Sequence, residues 1–152
     1  MADAVEQLKH VLARWMDDPD GEHPYLLTLE RYGTYRATEE EWLDEDVELD
    51  LAAGTASLLG LDTHGRGREE FFRVWRSWLE VWGEYRMGFS NWEQRGDSVI
   101  VDLEVEASGK LSGAPAKLAV TQIWTLRQGR IASLRVFGSR HAAVADLEGA
   151  SR

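Results

Sequence analysis

Residues 117–137 restrict the fold of this chain more than any other stretch. They read Lys-Leu-Ala-Val-Thr-Gln-Ile-Trp-Thr-Leu, then Arg-Gln-Gly-Arg, then Ile-Ala-Ser-Leu-Arg-Val-Phe. Two alternating segments around a short glycine-bearing connection predict a long antiparallel hairpin, with Gly129 supplying the positive φ of a tight turn. The two-residue period puts Leu118, Val120, Trp124 and Leu126 on one face, and Gln122 is the one polar side chain in that row. A buried amide without a partner costs about 1 to 3 kcal/mol. Gln122 must therefore find a partner or face a cavity, and it is the first candidate functional residue.

Two more strands precede the hairpin. Residues 98–107 alternate, with Val99, Val101, Leu103 and Val105 on one side and Asp102, Glu104 and Glu106 on a solvated side. Residues 86–93 form the strand before it across a turn at 94–97, and residues 108–115, with Gly109, Gly113 and Pro115, form a loop. Upstream, Phe71, Val74, Trp75, Trp78, Leu79 and Trp82 recur at helical spacing and predict a helix over about residues 68–83, its aromatic stripe read as core laid on a sheet. A first amphipathic helix carries Val5, Leu8, Leu12, Trp15 and Met16 and stops at Asp17-Asp-Pro-Asp-Gly. Between them, Pro24 opens and Gly33 closes a short helix, and Thr38 with Glu41 caps another over residues 39 to about 44. Residues 47–51 alternate as a short strand, 52–67 read as a loop, and a terminal helix follows Ser139 through His141, Val144 and Leu147. Helices first and an antiparallel run last predict an α+β fold, with helices on one face of a curved sheet and a pocket between them.

At 152 residues the chain suits a single domain spanning 1–152. A hydrophobic fraction of 43% with seven Trp argues for a packed core, and a net charge of −10 makes nucleic acid and anionic membranes poor partners. The absence of cysteine removes disulfides, thiolate nucleophiles and cysteine-based metal sites, and the four His lack metal-ligand spacing, so no metal is expected. No secretory signal or membrane-length apolar run occurs, which predicts a cytoplasmic location.

His64-Gly-Arg, Arg68-Glu-Glu-Phe-Phe, Gly96-Asp-Ser-Val-Ile-Val, Ile123-Trp-Thr-Leu-Arg-Gln-Gly-Arg-Ile and Leu134-Arg-Val-Phe together resemble the SnoaL-like proteins. These belong to the superfamily typified by nuclear transport factor 2 and ketosteroid isomerase. The resemblance covers about residues 44–149 well and the first helix more loosely, with an insertion at about 17–37 and a smaller one at Arg66-Gly67. It implies a cone-shaped, curved mixed β-sheet wrapped around N-terminal helices. The interior would take a small hydrophobic, polyketide-like or steroid-like ligand, commonly in a homodimer through the sheet. The superfamily hosts many activities, so fold does not settle function. Two readings follow from the resemblance: a cofactor-free proton-transfer enzyme of cyclase, isomerase, dehydratase or hydrolase type, or a ligand-binding or dimerisation module without chemistry.

Site residues carried across by the resemblance are partly kept. Trp15 stands where the isomerase has a tyrosine, and Gln122 matches its protonated aspartate, so each retains a hydrogen-bond donor. Asp50 in Asp46-Val-Glu-Leu-Asp-Leu is the counterpart of the general base, which makes Asp50 and Gln122 the catalytic candidates. Alternation puts Val47, Leu49 and Leu51 on the apolar face, so Asp50 turns outward with Glu48 unless the strand bulges or is covered on both sides. Base and exposed strand acid both remain open for it. His64 belongs to a loop-to-helix junction, as a surface or capping residue, and His141 is a pocket-mouth or solvated helix-end residue. Tyr85, Arg86 and Asn91 are polar residues near the pocket strands, suited to substrate contacts or structural hydrogen bonds. The expected walls are Trp15, Val101, Leu103, Val105, Val120, Trp124, Leu134 and Val136.

Overall fold

In the computed structural model, which describes residues 4–15, 25–26, 43–53, 63–109 and 111–150, the hairpin is formed by β6 (Pro115–Arg127) and β7 (Arg130–Phe137). Gln122 pairs with Val136 and Trp124 with Leu134. Gln128 (φ 53°) and Gly129 (φ 77°) both lie in the left-handed region, as a two-residue turn of matching twist requires, and glycine meets that requirement without strain.

Strand β5 (Ser98–Gly109) pairs antiparallel with β6 and with β4 (Trp82–Arg95). On the other side of the hairpin, β2 (Leu43–Ala53) runs parallel to β7 and antiparallel to β3 (His64–Arg66). A two-residue β1 (Tyr25–Leu26) completes a mixed sheet of order β1-β4-β5-β6-β7-β2-β3. Helices α1 (Ala4–Trp15) and α2 (Arg68–Leu79) lie on its concave face. The fold is the α+β arrangement on a curved sheet that the strand pattern predicts, and the sheet does not close.

The main core is the space between those helices and the inner face of the sheet. It joins Leu8 and Leu12 of α1, Phe71, Val74 and Leu79 of α2, and Val99, Val101 and Leu103 of β5, all buried. These are the residues that share one face by period, so burying that face is what draws each element onto the sheet.

The structure departs from the sequence reading in five places. The helix expected over about residues 68–83 stops at Leu79, and Trp82, expected on its stripe, opens β4 and pairs with Gly109 instead. Leu43 and Asp44, expected in a capped helix, begin β2 instead: Leu43 is buried, pairs with Ile131, and its carbonyl accepts two bonds from the Arg68 guanidinium (3.1 and 2.8 Å). Long-range pairing has overridden a local capping signal. Tyr25 and Leu26, expected in a short helix, pair with Met87 and Arg86 at the sheet edge. The expected loop over 52–67 contains β3, where a Cβ on Gly65 would come within 2.8 Å of the Glu70 carbonyl oxygen. Strand β3 and α2 meet at that glycine because no side chain intervenes. Finally, α3 (Arg140–Ala150) packs on the convex face rather than with the other helices, where Ala143, Val144 and Leu147 cover Ile100 and Ile123. The remainder of the proposed insertion at 17–37 and the Thr38–Glu41 capping box lie outside the described residues.

Candidate functional site

A cavity of about 30 Å³ opens between α2 and the inner face of the sheet. Alternation selects its walls: Leu103 and Val105 of β5 stand opposite Val120 and Leu118 of β6, with Val136 of β7 and Leu51 of β2 beside them. Trp75 and Trp78 of α2 close the helix side. Among the described residues two non-indole polar side chains join the lining, Gln122 of β6 and Tyr85 of β4.

Gln122 is 2% exposed and sits in register between Val101 and Val136. Its Oε1 accepts a 3.0 Å hydrogen bond from Trp124 Nε1, two residues along the same face. An indole nitrogen can only donate, so this bond fixes the amide orientation and turns Nε2 away from Trp124 as a donor. Tyr85 is 3% exposed, and its Oη accepts from Trp78 Nε1 at 2.8 Å with the two rings edge-on. Burial holds the Tyr85 phenol well above its ordinary value of 10.0, against the smaller opposing effect of the Trp78 bond. The hydroxyl is therefore neutral at any physiological pH and retains its proton for donation.

The structure places Leu103, Val105, Val120, Gln122 and Val136 together around this cavity. Val101, Trp124 and Leu134 share the inner face but are fully buried in the core beside the cavity, not on its wall. Asn91 lies elsewhere: it is exposed at an irregularity in the β4–β5 register, has φ 55°, and its Nδ2 donates to Asp102 Oδ2 at 2.8 Å. An extra residue in the strand has re-aimed it to the outer face. Arg86 is exposed and pairs with Leu26 and Glu106. Trp15 ends α1, and its side chain lies outside the described residues.

Asp50 is not on the cavity wall. Its neighbours Leu49 and Leu51 are buried at 0% and 4% exposure on the inner face, so alternation directs the half-buried Asp50 to the other side, in register with His64 and Arg135. His64 is exposed on the edge strand β3, and His141 is exposed in the first turn of α3. Among the described residues no three His, Asp or Glu side chains converge as metal ligands would.

Four apolar or indole cavity residues were not among the expected walls in sequence: Leu51, Trp75, Trp78 and Leu118. The signal for the two indoles was present, since the aromatic stripe of α2 must face the concave side of any sheet it lies on. Reading that stripe wholly as core hid the part of it that meets open space. Leu118 was visible as a member of the Gln122 row.

A family model described as SnoaL-like domain matches residues 32–134, more than half of the chain. No curated protein matches it. Among solved structures, the chain is similar to TerC co-crystallised with polyporic acid, at 20% identity and a TM-score of 0.62 over 93% of this chain and 98% of that one. It is also similar to an NTF2-like protein of unknown function from Burkholderia pseudomallei (16% identity, TM-score 0.64, 95% and 97% covered). A protein of Jannaschia sp. assigned as a SnoaL-like polyketide cyclase gives 14% identity and a TM-score of 0.65, with 93% and 89% covered. At these identities the structural likeness is one of fold.

Proposed function

We propose, from the premise that this chain belongs to the SnoaL-like domain family, that it binds a small apolar molecule in the cavity between α2 and the sheet. The observation that carries the reading is the composition of the wall: among the described residues, aliphatic and indole surface interrupted only by Tyr85 and Gln122. A predominantly apolar enclosure with a few placed polar groups is what a small-molecule site requires, the apolar surface supplying affinity and the polar groups orientation. The complex of TerC with polyporic acid supports a small organic occupant for a fold of this shape.

Proton-transfer chemistry is the second reading, favoured by the position of Gln122 as a buried donor on the cavity wall. Its requirement is a base, and among the described residues no carboxylate or imidazole lines the cavity. Binding is therefore the better supported function. A homodimer through the sheet belongs to the same proposal. The convex surface open to it is that of β4 and β5 around Arg86, Glu104 and Glu106, since α3 covers Ile100 and Ile123.

Native mass spectrometry of the freshly purified protein tests the binding reading, with a co-purifying apolar small molecule as the expected result. Val120→Trp, which fills the cavity from the sheet side, should abolish its retention. Asp50→Asn should leave it unchanged. Full retention in the Val120→Trp variant would overturn the placement of the site.

A further inference from the structure

Resting on the pocket reading above, we propose that Trp82 is a displaceable cap on the cavity: a ring-sized ligand enters by driving its indole into solvent and taking the space it leaves. The cavity as it stands measures about 30 Å³, room for about two waters. A dry cavity that accepts benzene is nearer about 150 Å³. An occupant of ring size therefore requires part of the enclosure to move, and Trp82 is placed and held as such a part must be.

Its place comes from the sheet. Along the cavity floor Leu103 and Val105 pair with Val120 and Leu118, and the next inward-facing pair toward the β5–β6 turn is Ala107 with Ala116. Beyond that pair Gly109 stands in register with Trp82. The floor therefore shrinks to methyl groups and a glycine at the end where Trp82 joins the core, edge-on to the wall residue Trp78 at 5.4 Å between ring centroids. Its hold is weaker than that of its neighbours. Trp78 Nε1 and Trp124 Nε1 have acceptors at 2.8 and 3.0 Å, whereas Trp82 Nε1 is enclosed without one among the described residues, on a side chain that is only half-buried. An enclosed, unmet N–H opposes the seated position, and water satisfies it once the indole swings out. The backbone beside it is not locked by an unbroken ladder, because the β4–β5 register shifts between Trp82 and Glu84. A ligand ring that fills the vacated space restores the apolar burial that Trp82 gives up.

Fluorine NMR of the intact chain carrying fluorotryptophan tests the proposal, with ethylbenzene as the probe and the Trp82 resonance assigned by its loss in Trp82→Phe. Saturating ethylbenzene should give that resonance the solvent isotope shift of an exposed indole. By calorimetry Trp82→Ala, which has no cap to displace, should bind ethylbenzene at least about tenfold tighter than the parent, the factor expected when the open state is populated at a tenth or less. Trp82→Phe keeps a ring but has no N–H to release, so it should bind more weakly than the parent. Ethylbenzene bound while Trp82 stays shielded from solvent, or bound by Trp82→Ala alone, would overturn the cap and leave the pocket in place. Failure of both the parent and Trp82→Ala to bind would overturn the pocket reading and this inference with it. The fluorine measurement on the parent decides the matter even where Trp82→Ala does not fold.

Discussion

Tyr85 and Gln122 behave alike although one is a phenol and the other an amide, because each is held by a donor-only ring. Tyr85→Phe keeps the packing but leaves Trp78 Nε1 buried without its acceptor, which should cost about 1 to 3 kcal/mol in urea denaturation at neutral pH. The same residue sets a pH dependence. Its pKa is raised in the folded state, so its contribution is fully present below the ordinary value of 10.0 and is lost as pH climbs above that value toward the folded one. Stability of the parent protein should fall more steeply above about pH 10 than that of Tyr85→Phe. Equal alkaline slopes would contradict the burial of an un-ionised phenol. Gln122 was legible in sequence as an amide out of place in an apolar row. Tyr85 was legible only as a polar residue near the sheet, because its partner Trp78 is contributed by a separate helix.

At the level of elements, α3 is joined to the sheet by a polar cluster as well as by its apolar contact. Arg140 donates to Asp102 Oδ1 (3.1 Å) and to the Asn91 carbonyl (3.0 Å), while Thr121 Oγ1 donates to the same carboxylate oxygen at 3.0 Å. Burial raises the Asp102 carboxyl, but the bonds from Asn91, Thr121 and Arg140 together outweigh it and leave it below its ordinary value of 3.8. A depressed carboxylate stabilises above its unfolded value and loses that contribution as pH falls through the folded one. Protection factors of the α3 amides, referenced to intrinsic exchange at each pH, should therefore fall on acidification below about pH 4, and Asp102→Asn should flatten that response while lowering protection at neutral pH. The β3–α2 junction offers a separate test. In Gly65→Ala the new Cβ meets the Glu70 backbone oxygen at 2.8 Å, and the forced shift should cost about 1 to 3 kcal/mol by denaturant titration. The acidic side of β5 reads in sequence as solvated. Asp102 differs from Glu104 and Glu106 because a helix far along the chain returns to cover its end of the strand.

For the whole molecule, a net charge of −10 opposes self-association. The homodimer proposed above should therefore tighten as salt rises from low to physiological concentration, as read by sedimentation equilibrium. Weakening over that range would point to complementary charges holding the interface instead. By itself the sequence determined the strand faces, the β6–β7 turn, the α2 stripe and the α+β class, since each follows from side-chain period or from a residue's allowed φ. It also contained the outward direction of Asp50, because Leu49 and Leu51 flank it. The tertiary structure decided the rest. Leu43 joined a strand because Ile131 lay alongside it, α3 took the convex face because Ile100 and Ile123 were left apolar there, and Asn91 turned outward at an irregular register. The orientation of the Gln122 amide was likewise settled in three dimensions. Gln122 can present its oxygen or its nitrogen in isolation, and the direction of a hydrogen bond exists only once both partners are in place.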